Sequence, residues 1–135
     1  MPVELVRVEG EDPPEARDVR GRLDEWNVRR TGITDWCPMT IVLRDDASAV
    51  RGGVLGNTWA GSLHVTILWV DEALRGRGHG RRLLEAAEAF ARERGCTQAK
   101  LDTFTFQAGP RFYEHLGWEV FGVIDGHPRA TGITS

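Results

Sequence analysis

The segment Arg75-Gly76-Arg77-Gly78-His79-Gly80 constrains this chain most. It stands between an apolar run, residues 63–70, and an amphipathic run, residues 81–94. That order predicts a strand, a glycine-rich turn and a helix start. Glycine has no Cβ, so the main chain of such a turn can approach a phosphate closely. The first amides of a helix lack intrahelical acceptors and point toward the same place. A strand feeding a helix through an anion cradle belongs to an α/β or α+β domain, and it implies a phosphate-bearing ligand.

At 135 residues the chain is expected to form one domain, residues 1–135, large enough to bury a core. No uncharged apolar run is long enough to span a membrane. Met1-Pro2-Val3-Glu4 lacks the basic-then-apolar pattern of a secretory leader, so the cytoplasm is the expected compartment. Cys37 and Cys96 are far apart and outside any Cys-x-x-Cys pair, which predicts two buried reduced thiols rather than a disulfide or a metal site. A net charge of −3 argues against nucleic acid as a partner. Arg75, Arg77, Arg81 and Arg82 nevertheless crowd into one stretch, a local patch suited to a small anion.

Alternation over residues 3–8 predicts a first strand. Asp12-Pro13-Pro14-Glu15 predicts a helix start, with Asp12 as cap, and Ala16, Val19, Leu23 and Trp26 form its buried stripe. Thr31-Gly32 ends that helix. Strands are predicted over 39–43 and 49–55, separated by Arg44-Asp45-Asp46, followed by a loop carrying Trp59. Residues 63–70 read as a strand covered on both faces. The helix after the glycine turn buries Leu83, Leu84, Ala87, Phe90 and Ala91, pairs Glu88 with Arg92 four residues on, and stops at Gly95. A strand over 99–106, a short helix over 110–116 and a strand over 118–124 complete the pattern.

Two familiar phosphate cradles fail on residues. A mononucleotide P-loop needs Lys followed by Ser or Thr after its second glycine, and that pair is absent. A dinucleotide fingerprint counted from Gly76 puts Arg81 where its last glycine belongs. What remains is either a glycine turn without a ligand or a different cradle, and the flanking sequence favours the second.

Leu68-Trp69-Val70, then Arg75-Gly76-Arg77-Gly78-His79-Gly80 and Leu83-Leu84, resembles the acetyl-CoA motif of the GNAT superfamily of N-acetyltransferases, Arg/Gln-x-x-Gly-x-Gly/Ala. A second block, Leu101-Asp102-Thr103, Phe106-Gln107-Ala108 and Phe112-Tyr113-Glu114-His115-Leu116-Gly117-Trp118, is similar to the later Tyr-x-x-x-Gly-aromatic signature of that superfamily. The resemblance implies a mixed, mostly antiparallel sheet flanked by helices and splayed between its fourth strand, 63–70, and fifth, 99–106. It implies acetyl-CoA as co-substrate, without a metal. Main chain around Leu68, Trp69 and Val70 would pair with pantetheine, helped by Gln107. The pyrophosphate would sit on amides of Gly76, Arg77, Gly78, His79, Gly80 and Arg81, with Arg75 and Arg77 beside it.

Acetyl transfer to an amine needs a deprotonated nucleophile and a proton for the departing sulfur. By the resemblance Tyr113, the one tyrosine of the chain, is the general acid. A phenol of pKa near ~10 stays protonated at neutral pH without special tuning. Asp71, Glu72, Asp102 and His64 are candidate bases, with none preferred. Trp36 and Trp59 are expected to line the acceptor pocket, whose ligand is a small-molecule or protein amine. The tail after residue 124 leaves room for at most a short last strand, so a homodimer is expected to cover the open edge. A non-catalytic acyl-CoA-binding sensor is the alternative function.

Overall fold

The computed structural model describes residues 1–103 and 109–123, which divide between two compact units, Met1–Trp36 and Cys37–Ser135. In the first unit, residues 1–9 form no strand, contrary to the alternation at 3–8, and Val3 and Leu5 are exposed. An alternating segment becomes a strand only when a ladder satisfies its amides and carbonyls, and this one has none among the described residues. Helix α1, Pro14–Thr31, does begin where the prolines place it. Its N-cap, however, is Pro13, and Asp12 instead bridges Arg20 at 2.6 Å and Arg17 at 3.1 Å. Those guanidinium groups hold the Asp12 carboxyl below the usual carboxylate range. Gly32, at φ 70°, closes the helix by donating its N–H to the Val28 carbonyl. The expected buried stripe is not buried: α1 encloses no residue, and Trp26 is 52% exposed with the Arg30 guanidinium over its ring. Charged residues crowd the rest of this helix, and its few apolar positions form too narrow a band to fix burial from sequence.

The second unit carries a four-stranded sheet in the order β1-β2-β3-β4. Strands β1 (Cys37–Arg44), β2 (Val50–Trp59) and β3 (Ser62–Val70) are antiparallel neighbours, and β4 (Gln98–Leu101) runs parallel to β3. A parallel neighbour needs a crossover, supplied by helix α2, His79–Glu93. Asp45 builds the first turn, its carboxylate accepting the amides of Ala47 and Ala49. Ala60 and Gly61, both at positive φ, make the tight second turn. Trp59 therefore ends β2 rather than riding a loop, because the strand continues through Gly56-Asn57. The core forms where Met39, Val54, Leu63 and Val65 meet Leu83, Leu84, Ala87 and Ala91 of α2, joined by Tyr113 from helix α3, Gly109–His115. Cys37 and Cys96 are half-buried free thiols. Residues 118–123 form no strand: Trp118 turns back to donate its N–H to the Tyr113 carbonyl, and Phe121 and Val123 are exposed. The end of the strand expected over 99–106 lies outside the described residues, as do Ile124 and the tail after it.

One irregularity organises the sheet. Between Leu55 and Gly56 the β2–β3 register slips: Gly56 faces Val65, whereas Leu55 faces Ile67, so Thr66 is an extra residue in β3. The Thr66 hydroxyl donates to the Leu55 carbonyl across the bulge at 3.1 Å. Side chains alternate along a strand, and one extra residue reverses their parity. Leu63 and Val65 are buried before the bulge; after it, Leu68 and Val70 pack toward the core while Ile67 and Trp69 are exposed. Pairing with β4 stops at the same place, its last rung being Val65 to Leu101. Gly56 makes this approach possible, since a Cβ there would overlap the His64 carbonyl. Gly56→Ala is expected to destabilise the protein by about 1–3 kcal/mol or more, read as a lower denaturation midpoint. Gly122→Ala, where a Cβ meets nothing within 4 Å, is the control and should stay within about 0.5 kcal/mol of the parent.

Candidate active site

From Thr66 to Val70, β3 has β2 on one side and no strand on the other among the described residues. Among the described residues the stretch containing Leu68, Trp69 and Val70 is thus an open edge. At its end the chain enters a tightly stapled connection. The Asp71 amide donates to the Arg51 carbonyl at 2.8 Å, and its carboxylate caps the 3-10 turn Glu72–Leu74 by accepting the Ala73 amide. Arg51 then bridges Asp71 at 2.9 Å and Asp45 at 3.2 Å. Asp71, a candidate base by sequence, is committed to this staple. Nothing in the spacing of Arg51 and Asp71 announces their pairing, and sequence reasoning missed it.

The glycine turn follows. Gly76 and Gly78 sit at φ 78° and 83°, the left-handed region, and Gly78 is the N-cap of α2 without a side-chain cap. No amide of Gly76, Arg77, Gly78, His79, Gly80 or Arg81 finds a protein acceptor among the described residues. The first turn of α2 also holds no acidic side chain, so nothing local offsets the positive end of the helix dipole. This is a cradle of main-chain donors that fits a diphosphate.

The arginines around it are mostly engaged. Arg75 Nε donates to the Val70 carbonyl at 2.9 Å, tying the turn to the strand end. Arg81 pairs with Glu85 at 2.8 Å, and Arg82 lies 3.2 Å from His79 Nδ1. Arg77 has no side-chain partner among the described residues. Both members of the Arg81 pair are well exposed, so it contributes little stability.

Gly80 needs no unusual φ, yet it is required on other grounds. A Cβ there would come within 3.3 Å of Phe112 Cζ, so the glycine lets α3 seat against the first turn of α2. The next residue of α3 is Tyr113, 8% exposed, with the Phe112 ring 5.0 Å away and the Trp118 ring 6.1 Å away. Its hydroxyl has no hydrogen-bond partner among the described residues, and no enclosed side-chain oxygen is left unsatisfied there, so the oxygen reaches a surface while the ring does not. Burial pushes the phenol above its ordinary value of 10.0.

The other expected residues are more scattered. Gln107 lies outside the described residues. Trp36 belongs to the first unit and is 60% exposed, whereas Trp59 belongs to the second and is 37% exposed. His64 is half-buried in β3, Glu72 is exposed in the 3-10 turn, and Asp102 is exposed just after β4. Among the described residues no three His, Cys, Asp or Glu side chains gather to hold a metal ion, and no helix is long and apolar enough to cross a membrane.

Comparison with known proteins bears on this geometry. Residues 38–120 match the family model described as an acetyltransferase (GNAT) domain. The chain is 39% identical to an acetyltransferase of Agrobacterium fabrum over 91% of its own length and 89% of the relative's. It is 38% identical to the blasticidin-S acetyltransferase of Streptomyces morookaense over 80% of each chain. A crystal structure of an acetyltransferase from Bacillus cereus superposes with a TM-score of 0.75 at 32% identity, covering 91% of this chain and 89% of that one. Cradle, open strand edge and matches agree, and the chain belongs to the GNAT family of acetyltransferases, whose members transfer acetyl groups from acetyl-CoA.

Proposed function

We propose that this protein is an N-acetyltransferase that moves the acetyl group of acetyl-CoA directly to a primary amine in a ternary complex. The observation that carries this is the row of unaccepted amides from Gly76 to Arg81, one helix contact away from the lone phenol Tyr113. In this reading the cradle amides hold the diphosphate, and Arg77, unpaired among the described residues, adds positive charge beside it. The open edge at Leu68, Trp69 and Val70 offers main-chain partners to the pantetheine arm, with Gln107 as a further contact. When bound, acetyl-CoA supplies an acetyl group activated as a thioester. Tyr113 then gives its hydroxyl proton to the departing sulfur. His64, Glu72 and Asp102 are the carboxylates and imidazole left to take the amine's proton, Asp71 being held in its staple. Trp59, and separately Trp36, present exposed aromatic surface to an acceptor.

The relative named for blasticidin S makes that compound a first member of an amine panel, alongside polyamines, aminoglycosides and peptide N-termini. Free thiol release with at least one amine is the expected result. Acetyl-CoA binding without release from any of them would favour a sensor instead. Tyr113→Phe should bind acetyl-CoA normally and turn over about 10–100-fold more slowly where chemistry limits the rate; an unchanged rate would remove the acid role. The buried phenol also has a signature in stability. Above pH 10.0 the unfolded chain releases this proton while the folded chain keeps it, so stability falls as pH rises through that region. Denaturant midpoints between pH 9 and 11 should show that slope in the parent and a flatter one in Tyr113→Phe. The outer edge of β4, without a strand partner among the described residues, supports a homodimer, and light scattering at micromolar concentration should report two copies.

A further inference from the structure

Helix α3 has only seven residues, too few to hold its shape alone, yet it carries Tyr113. Beyond the packing of Tyr113 in the core, two contacts tie it and the residues after it to α2. At the first turn, the Phe112 ring rests on Gly80. Two turns along, Trp118 Nε1 donates to Glu88 Oε1 at 3.1 Å. The Trp118 amide donates to the Tyr113 carbonyl at 3.0 Å, and the two rings meet edge-on at 66°. Phe112 meets the same phenol at 82° from its other neighbour position. Glu88 has a second contact, with Arg92 at 3.9 Å, but that guanidinium is largely in water and directs little. The indole is therefore the directional partner of a carboxylate only 24% exposed, a charge-assisted bond in a half-dry setting.

We propose that Glu88 is a positioning residue that, through Trp118, fixes Tyr113 to the helix whose N-terminus forms the cradle. Phenol and anion site are thereby carried by one rigid body, α2. The inference rests on the acid role of Tyr113 for its catalytic meaning, and its structural core can be read without any turnover. The chain has a single tyrosine, so protein labelled with 13C at the tyrosine Cζ alone gives one resonance. Glu88→Ala and Trp118→Phe should each shift that resonance and lower the pH at which it titrates, whereas Glu88→Gln, which keeps an acceptor, should leave it near the parent. With an amine found in the panel, both disruptive variants should lose about tenfold in kcat with KM for acetyl-CoA within about twofold. The double variant should lose no more than either single one. A cooperative thermal unfolding transition followed by circular dichroism certifies that each variant is folded; if Glu88→Ala does not fold, Trp118→Phe carries the test, and if Trp118→Phe does not, Glu88→Ala carries it. A tyrosine resonance unmoved in folded Glu88→Ala and Trp118→Phe overturns the proposal. A moved resonance with parental kcat, while Tyr113→Phe is slow, overturns the positioning role. If Tyr113→Phe is equally fast, the acid role fails instead, and the moved resonance still supports the link from Glu88 to Tyr113.

Discussion

The extra residue in β3 is the constraint on which the site depends. With Thr66 inserted opposite the Leu55–Gly56 step, the strand changes which side chains it turns inward, and its ladder with β4 ends one residue earlier. Were Thr66 paired in a regular pleat instead of bulged, Ile67 and Trp69 would take the places of Leu68 and Val70 against the core. The strand end would then deliver the chain to the glycine turn on a different heading. Gly56 permits all of this by lacking a Cβ where the His64 carbonyl passes. A backbone contact, not a polar network, sets the geometry.

Downstream, α2 serves three purposes with separate faces. Leu83, Leu84, Ala87 and Ala91 seal the sheet. Its first turn offers amides, and its flank receives α3 through Gly80 and Glu88. A short helix bearing a buried phenol gains order from a longer one that is itself anchored by burial, so core packing, in which Tyr113 itself takes part, stabilises the site. The Arg51–Asp71 staple acts at the other end, fixing the connection between strand and turn.

Much of this was legible from residues 63–118. Glycines between an apolar run and an amphipathic run specify strand, turn and helix because the two periodicities leave little else, and the α2 stripe is read almost residue by residue. What the sequence concealed was whatever needed a partner far along the chain. Among the described residues, residues 3–8 alternate but have no ladder, α1 has apolar positions but encloses none of them, and Trp118 begins a turn back onto α3 rather than a strand. The bulge was invisible because parity is a property of two strands together. Asp71 is one of four candidate bases, and its pairing with Arg51 and the Ala73 amide could not be read from spacing.

The cradle has a final consequence. Its donors are peptide groups, and three of the four nearby arginines already have protein partners, the Val70 carbonyl, Glu85 and His79. In the proposed reading, side chains from 75 to 82 can therefore change with little loss of anion recognition, provided Gly76 and Gly78 keep their left-handed torsions and Gly80 stays small against Phe112. In that reading the site is inherited as a shape of the polypeptide rather than as a set of functional groups.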